Sequence, residues 1–495
     1  MKHLITIFYS FLSTIALGQA SGIFKQMKDK YRDDIGVYTE RSKYLTMAVN
    51  GDSLVTSATV KETILFLKDQ QKYSADWRIY GSYFQEIGGI EAKAILFENG
   101  RSKEIKMLSP SKRREDDNSV FFDDSYFYQV SFPVCKEGNY ESWSYYEKYR
   151  DPKLLPAFNF YSSMPMDRSV FTIKISKGIE LAWKVYNDPS NAISFRQYHK
   201  GSNTYFEWSV KNFRSPQYEE DCPKVSYYAP QVVYYVKSYA TKNGTQKNVL
   251  SGLDDLYHDY LTTVSKLNEE PSPALDSLVQ GLISPTDDDL TKVKKIYYWV
   301  QDHIRYIAFE DGMRGLIPHK PNYIFEKRYG DCKDMASIIV GLLKVVGVNA
   351  YYTWIGTRDL PYRYTTLPTP LVDNHMIATY IDENKNYYFL DATGNYTRLG
   401  LPSSMIQEKE SFIALPTKYE IREVPKVPSE LNCKRDSVVV HIDNKLLVGR
   451  GTVYLIGYEK VNTSYSLDKA KQESRKDNVV QCVKKGEQQI LPRFL

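Results

Sequence analysis

The chain has few of the residues from which metal sites and disulfide frameworks are built. Its 495 residues include 5 cysteines and 7 histidines, and the formal net charge is only +5. Charges of both signs are dispersed along the chain, so the sequence gives no argument for binding nucleic acid or an anionic membrane. Because the cysteine count is odd, at least one thiol stays unpaired even if the others form disulfides.

Long apolar runs are also nearly absent, and the exception lies at the start. Residues 4–17 are mostly apolar, Lys2 precedes them, and the small residues Gly18 and Ala20 follow. This order is typical of a secretory signal peptide. We therefore predict a signal peptide over residues 1–20 and a periplasmic or secreted protein. The run is too short for a comfortable membrane span, so an uncleaved anchor is the weaker alternative.

The remaining length and pattern predict an α+β multidomain protein. Residues 21–240 are mostly strand-like, and Phe171, Ile173 and Ile175 alternate with polar residues, which is typical of a sheet with one wet face. We predict a β-sandwich-like N-terminal domain. An Asn-Gly turn at 99–100 predicts a hairpin within it. Proline-punctuated connectors are predicted at 216–230 and 416–428.

Helical and strand patterns mix in the central domain, predicted at 249–415. Acidic residues at 287–289 suit the start of a helix over 286–304 better than a metal site, because adjacent side chains point to different faces.

A partial C-terminal β domain is predicted at 430–495, with strands at 437–442 and 446–456 and no clear closing element after 468. The other predicted central helices are 250–267 and 271–283, and the predicted central strands are 350–355, 375–381 and 387–391.

Cys332 is the candidate nucleophile. It lies in the segment Arg-Tyr-Gly-Asp-Cys-Lys-Asp of residues 328–334, directly before an apolar stripe at helical spacing. The stripe predicts a helix that ends at Gly347. A helix N-terminus carries partial positive charge and free N–H groups, which favour a thiolate and can hold an oxyanion. Taken alone, however, a cysteine before a helix is more often a buried, inert thiol.

A histidine and an aspartate that could serve this thiol follow on two predicted strands. His375 begins the first strand, Asp391 ends the second, and residues 382–386 form the loop between them. If Ile381 pairs with Tyr387, His375 and Asp391 are diagonal neighbours on one face, roughly 7–8 Å apart at the backbone. A register shift of one residue would place them on opposite faces.

Together the three residues suit nucleophilic catalysis. His375 would take the proton of Cys332 and deliver it to the leaving group, and Asp391 would orient the imidazole. Besides the N–H of Cys332, an oxyanion donor is expected from the preceding helix. There Gln301 is favoured over Trp299, which fits a core-facing patch. A metal site is disfavoured because close-spaced ligand pairs are missing, and no cofactor is expected.

The stretch 301–391 resembles the transglutaminase-like superfamily of thiol enzymes. The resemblance implies Cys332 as nucleophile, His375 as base and Asp391 as third member, on a papain-like α+β fold. Residues 24–239 are similar to a β domain of unknown function that precedes this module in exported bacterial proteins, whose usual C-terminal β domain would here stop early. The resemblance is carried by Ile304-Arg305-Tyr306, Pro318, Tyr329-Gly330-Asp331-Cys332-Lys333-Asp334, Leu342-Leu343, Gly347, Asn374-His375 and Leu390-Asp391-Ala392-Thr393.

The favoured hypothesis is an exported thiol enzyme that attacks amide bonds of a protein or peptide and forms a thioester at Cys332. Release to water would make it a protease or amidase, and release to an amine a transamidase; the sequence does not separate these. The alternative is a binding or scaffold protein with an idle thiol module. A redox-sensing thiol ranks third, because Cys222 and Cys433 are more than 100 positions from Cys332 in sequence.

Overall fold

The structure, a computed structural model, describes residues 22–69, 76–98, 101–108, 110–114, 122–133, 136–216, 219–268, 272–469 and 472–483. The predicted signal peptide and the Asn-Gly turn lie outside these ranges. The chain forms two compact units. The first comprises Met1–Leu256, Glu310–Gly312 and Pro368–Leu371, and the second comprises Tyr257–Phe309, Met313–Leu367 and Val372–Leu495. The finer division at 21–240, 249–415 and 430–495 stays a prediction.

The first unit consists mainly of antiparallel sheets. Its elements are α1 (22–30), β1 (Gly36–Asn50), β2 (Ser53–Phe66), β3 (Asp76–Gly81), β4 (Gln85–Glu98), β5 (Arg101–Lys106), β6 (Ser111–Arg114), β7 (Phe122–Asp123), β8 (Tyr126–Ser131), β9 (Tyr140–Tyr149), β10 (Phe158–Asn159), β11 (Met166–Ile175), β12 (Ile179–Tyr186), β13 (Ser194–Lys200), β14 (Asn203–Phe213), β15 (Gln231–Ala240) and β16 (Gln246–Asn248). An eight-stranded sheet has the order β13-β14-β11-β1-β2-β9-β4-β5, and β1 and β11 are its one parallel pair among the described strands.

Two smaller sheets cover this large sheet on its apolar side. The first has the order β10-β15-β12 and the second β3-β8-β6. Phe171 and Trp208 of the large sheet pack with Tyr234 of the first small sheet, and all three are almost fully buried. Trp143 packs with Ile79 and Val130 of the second in the same way. Alternating apolar residues thus build sheet-on-sheet packing, which confirms the predicted sandwich-like architecture.

The second unit is α+β, as predicted. Its elements are α2 (Leu253–Val264, which begins in the first unit), α3 (Pro273–Leu282), α4 (Asp289–His303), β17 (Arg305–Tyr306), β18 (Phe309–Glu310), α5 (Pro321–Lys327), β19 (Tyr329–Gly330), α6 (Cys332–Val345), β20 (Ala350–Ile355), β21 (His375–Ile381), β22 (Tyr387–Leu390), β23 (Glu410–Ala414), β24 (Tyr419–Glu423), β25 (Lys434–Asp443), β26 (Leu446–Leu455), α7 (Tyr458–Lys469) and α8 (Gln472–Val483). An antiparallel sheet of order β22-β21-β20-β23-β24 supports the buried helix α6.

The helix ends follow the sequence signals. Asp288 caps α4 by accepting a hydrogen bond from the N–H of Thr291, which confirms the helix-start interpretation of the acidic triplet. Helix α6 spans Cys332–Val345, and Gly347 follows with a left-handed φ of 72°, as predicted. Among the described residues, no helix is long and apolar enough to cross a membrane.

Two predictions for the last quarter of the chain are wrong. The proposed linker at 416–428 contains β24, which pairs with β23 along its whole length. Its backbone groups therefore form hydrogen bonds within the sheet, whereas those of a free linker would form them with water. The two predicted strands near the C-terminus form the hairpin β25–β26, as expected. Helix α7 then begins at Tyr458, and α8 follows after residue 468, where no closing element was expected. Their polar sequences lack the apolar stripe by which a helix is recognised.

Candidate active site

Backbone pairing places Cys332 beside the end of α4. The short parallel pair β17–β19 joins the residues after α4 to those directly before α6. The N–H of Arg305 donates to the carbonyl of Arg328 at 2.8 Å, and the N–H of Ile307 donates to the carbonyl of Gly330 at 2.9 Å. Arg328, with a left-handed φ of 61°, ends α5 and turns the chain into β19. Cys332, half-buried, is then the first residue of α6.

Two aspartates form a capping box around this helix start. The carboxylate of Asp331 accepts the N–H of Asp334 at 3.3 Å, and that of Asp334 accepts the N–H of Asp331 at 3.4 Å. Both carboxylates have further partners, because Asp331 pairs with Lys333 and Asp334 contacts the ring of His319 at 3.1 Å. Burial raises the pKa of Asp331, whereas the hydrogen bonds from His319 outweigh burial and lower the pKa of Asp334. The sequence analysis missed these partners.

The β21–β22 hairpin has the register on which the His375–Asp391 prediction depended. Ile381 pairs with Tyr387, and Ala378 pairs with Leu390. His375 Nε2 lies 3.0 Å from Asp391 Oδ2, and both side chains are almost fully buried. The two side chains therefore meet on one face of the hairpin, as expected for the register in which Ile381 pairs with Tyr387.

The hydrogen-bond partners of Asp391 fill both carboxylate oxygens. Oδ2 accepts from the hydroxyl of Ser403 as well as from His375, and Oδ1 accepts from the hydroxyl of Thr393 at 2.6 Å. Its backbone carbonyl accepts from Tyr297 at 2.9 Å. Burial alone would raise the pKa of Asp391, but His375 and the two hydroxyls hold it well below its usual range. Asp391 is thus a fixed anion.

His375 also contacts Cys332. Burial lowers the pKa of His375, but the Asp391 carboxylate and a hydrogen bond with Cys332 outweigh it and raise the pKa to about 10. The ring is therefore an imidazolium at neutral pH. The structure brings together all three residues that the sequence proposed as a triad.

Both oxyanion candidates make other contacts. The side-chain amide of Gln301 donates to the carbonyl of Thr397 at 3.0 Å. The ring of Trp299 stacks on His303, with ring centroids 4.8 Å apart, and the guanidinium of Arg328 lies 5.2 Å from its centroid. Gln301 is therefore held at the C-terminal end of α4 by a loop, and Trp299 belongs to an aromatic and cationic stack.

A second carboxylate lies two residues before His375. Oδ2 of Asp373 accepts the hydroxyl hydrogens of Tyr260 and Tyr364, the latter at 2.7 Å. Both tyrosines are buried, and Phe412 packs against their rings. Burial raises the pKa of Asp373 to about 7 despite the two hydroxyls. Only the tertiary structure reveals this cluster, because its members come from distant segments.

The other described cysteines stand apart from this chemistry. Cys222 and Cys433 carry free thiols, and Cys135 lies outside the described residues. Among the residues that the structure describes, no group of three or more histidines, cysteines or carboxylates is arranged to hold a metal ion.

Comparisons with known proteins bear on the fold and on the family of the central domain. Residues 276–392 match the family model of the transglutaminase-like superfamily. A crystal structure described as that of a proposed protease from Parabacteroides distasonis overlaps with a TM-score of 0.57 at 11% identity, covering 83% of this chain and 78% of that one. It supports the fold alone. A search of curated proteins gave no match.

A second solved structure shows only weak similarity. It is described as a proposed cysteine protease from Cytophaga hutchinsonii, and it covers 48% of this chain and 70% of that one at 15% identity with a TM-score of 0.20. This overlap is too low to support an argument. The family match itself supports a cysteine-dependent hydrolase or transferase in general. Residues 276–392 of this chain are a domain of the transglutaminase-like superfamily.

Proposed function

We propose that the protein is an exported thiol enzyme that cleaves or transfers amide bonds through Cys332, His375 and Asp391. The observation that carries this proposal is the position of His375, whose Nε2 is 3.0 Å from Asp391 while Cys332 is near enough to help raise the pKa of the same ring. A cationic imidazole held by a buried carboxylate stabilises a neighbouring thiolate. A merely structural histidine would not need both partners.

In the first half-reaction, the Cys332 thiolate attacks the carbonyl carbon of the amide and forms a tetrahedral oxyanion. The imidazolium of His375 then gives its proton to the amide nitrogen. The C–N bond breaks, the amine leaves, and a thioester remains on Cys332. Asp391 keeps the ring oriented and stabilises its cationic form throughout.

In the second half-reaction, water or a primary amine attacks the thioester. His375, now neutral, takes the proton of the attacking group. Collapse of the second tetrahedral species expels the Cys332 thiolate and restores the ion pair. Water yields an acid and makes the enzyme a protease or amidase, whereas an amine yields a new amide.

The oxyanion would be bound by two N–H donors at the junction of α4 and α6. The backbone N–H of Cys332 is the first. Gln301 is the preferred second donor, because its side-chain amide is an N–H donor that the Thr397 contact fixes at the C-terminal end of α4. Trp299 remains the alternative. Removing such a donor typically lowers kcat by about a hundredfold or more.

The substrate is proposed to be a protein or peptide, and the location periplasmic or secreted. The location rests on the apolar segment at residues 4–17 and the small residues after it. Sequencing the N-terminus of exported protein tests it. A mature chain that starts near Gln19 or Ser21 would support export, and one that retains Met1 would contradict a cleaved signal.

The activity is tested with two assays on the full chain. A fluorogenic peptide-amide library measures hydrolysis, and incorporation of a fluorescent primary amine into a protein measures transamidation. We expect Cys332→Ala to abolish activity in both, whereas the matched control Cys433→Ala, which removes another free thiol, should behave like the wild type. If Cys332→Ala retains full activity, the thiol mechanism is wrong. An intact protein that is inactive in both assays and unreactive at Cys332 would favour the scaffold alternative.

A further inference from the structure

The segment from Asp391 to Ser403, here called the triad loop, lies against α4 on one side. Three consecutive contacts hold it there. The hydroxyl of Tyr297 donates to the carbonyl of Asp391 at 2.9 Å, and the amide of Gln301 donates to the carbonyl of Thr397 at 3.0 Å. The hydroxyl of Tyr298 accepts the N–H of Leu399 at 3.1 Å. The beginning and middle of the triad loop are therefore fixed to a helix of the matched domain.

The end of the triad loop contacts α7, which lies well outside the matched residues 276–392. The hydroxyl of Tyr458, the first residue of α7, donates to the carbonyl of Pro402 at 2.6 Å. Near the other end of α7, the Asp468 carboxylate adds to burial in raising the pKa of Tyr396 of the triad loop. The loop thus has a hydrogen bond to the first residue of this helix and an electrostatic interaction near its last.

Ser403 connects these contacts to the reacting groups. Its hydroxyl donates to Oδ2 of Asp391 at 2.5 Å, the same oxygen that faces Nε2 of His375. Thr393 holds only the other oxygen. Ser403 is therefore the one described side chain besides His375 that fixes the carboxylate oxygen on which the imidazolium depends.

We propose that Ser403 is a positioning residue for the triad, and that α7 holds Ser403 in place through Tyr458. The inference rests on the proposed function of Cys332, His375 and Asp391. It assigns part of the catalytic support to a C-terminal helix that the sequence analysis did not foresee. The catalytic unit then extends from α3 at least to Tyr458.

The physical reason lies in the rotation of a carboxylate. A carboxylate held at one oxygen can turn about its Cβ–Cγ bond, whereas hydrogen bonds at both oxygens fix its plane. Asp391 must present Oδ2 in the plane of the imidazole to keep the proton-bearing ring aimed at Cys332. Removing the Ser403 hydroxyl leaves Oδ2 held by His375 alone, so that the carboxylate and the ring can shift together. Removing the Tyr458 hydroxyl loosens the backbone one residue before Ser403.

The first experiment compares Ser403→Ala, Ser403→Thr and the control Ser404→Ala, whose exposed side chain lies next in sequence. We expect Ser403→Ala to lower kcat about tenfold with KM unchanged, since losing one hydrogen bond to a charged group corresponds to about a tenfold change in rate. Ser403→Thr should restore kcat, and Ser404→Ala should match the wild type. Of these three variants, only Ser403→Ala should shift the pH midpoint of Cys332 alkylation by iodoacetamide.

The second experiment compares Tyr458→Phe with Tyr454→Phe, an exposed tyrosine on β26. Tyr458→Phe should lower kcat roughly threefold to tenfold, shift the alkylation midpoint in the same direction as Ser403→Ala, and add little to that variant in the double mutant. Tyr454→Phe should leave both readouts unchanged. Additive effects of the two substitutions would mean that Tyr458 does not act through Ser403.

These outcomes separate the inference from the function on which it rests. If Cys332→Ala and His375→Ala abolish activity while Ser403→Ala keeps the wild-type kcat and alkylation midpoint, the positioning role is wrong and the triad stands. If Ser403→Ala lowers only the thermal midpoint, with kcat per folded molecule unchanged, Ser403 is structural and the inference also fails. If Cys332→Ala retains activity, the triad itself is wrong.

Discussion

His375 Nε2 lies 3.0 Å from Oδ2 of Asp391 at a site where both side chains are almost completely removed from water. An imidazole buried without a partner would lose its proton, so this single contact decides the charge state of the ring. With the carboxylate present, the pKa of His375 is raised to about 10. The ring near Cys332 is therefore an imidazolium at neutral pH, which is the protonation state that the proposed mechanism needs in its first step.

The first prediction concerns the reactivity of Cys332. We expect His375→Ala to slow alkylation of Cys332 by iodoacetamide at pH 7 by about tenfold or more, because the cation that favours the thiolate is gone. The rate should recover at high pH, where a thiol ionises without help. His441→Ala is the matched control, since His441 is exposed on β25. An unchanged rate in His375→Ala would mean that the thiol does not depend on the ring.

The second prediction concerns the pH dependence of stability. The raised pKa of His375 contributes stability that is complete below its ordinary pKa and is lost as the pH rises through about 10. Asp391→Asn leaves a buried ring without its anion, so we expect a loss of about 3–5 kcal/mol near pH 6. The difference from the wild type should shrink toward pH 10. Denaturant titrations measure it, with Asp443→Asn as an exposed control.

The third prediction separates the two candidate oxyanion donors. Gln301→Ala should lower kcat by about a hundredfold or more and leave the Cys332 alkylation rate at neutral pH nearly unchanged. Trp299→Phe removes the indole N–H, keeps an aromatic ring in the stack and should have little effect. If Trp299→Phe lowers kcat strongly and Gln301→Ala has little effect, Trp299 is the donor. If Gln301→Ala instead reproduces Ser403→Ala in both readouts, Gln301 acts only on the triad loop.

The fourth prediction concerns Asp373. Because burial raises its pKa to about 7, the folded protein holds a proton that the unfolded chain releases near pH 4. This site therefore reduces stability as the pH rises from about 4 to 7, the opposite of the usual carboxylate. Asp373→Asn keeps an oxygen acceptor for Tyr260 and Tyr364. The free energy of unfolding of the variant minus that of the wild type should be about 1–3 kcal/mol larger at pH 8 than at pH 4. Parallel stability curves for the two proteins would show that Asp373 does not titrate in this range.

Some of the site could be predicted because its signals are local. Helix α6 follows from an apolar stripe of period 3.6 that lies between Asp331 and Gly347 and so within a short stretch of the chain. The meeting of His375 and Asp391 follows from the period of two in a hairpin with a five-residue loop. In both cases the backbone geometry of one element fixes which side chains share a face.

The predictions failed where stability comes from pairing rather than from pattern. The segment 419–423 is short and has prolines on both sides, so its composition is typical of a linker, yet it becomes a strand because β23 offers unpaired backbone groups at the sheet edge. Helix α7 lacks an apolar stripe and rests on contacts such as Tyr458 with Pro402. Contacts between distant segments leave no periodic pattern in the sequence, so the pattern could not predict this helix.

The sequence by itself determined the candidate nucleophile, its helix, and the face that His375 and Asp391 share, since each depends on residues close together in the chain. Only the tertiary structure decided the charge of His375, the pairing of Lys333 with Asp331, and the positions of Ser403 and Tyr458 around Asp391. The reason is physical. A pKa depends on burial and on charges brought within a few ångströms, and hydrogen bonds between distant segments exist only after the chain has folded.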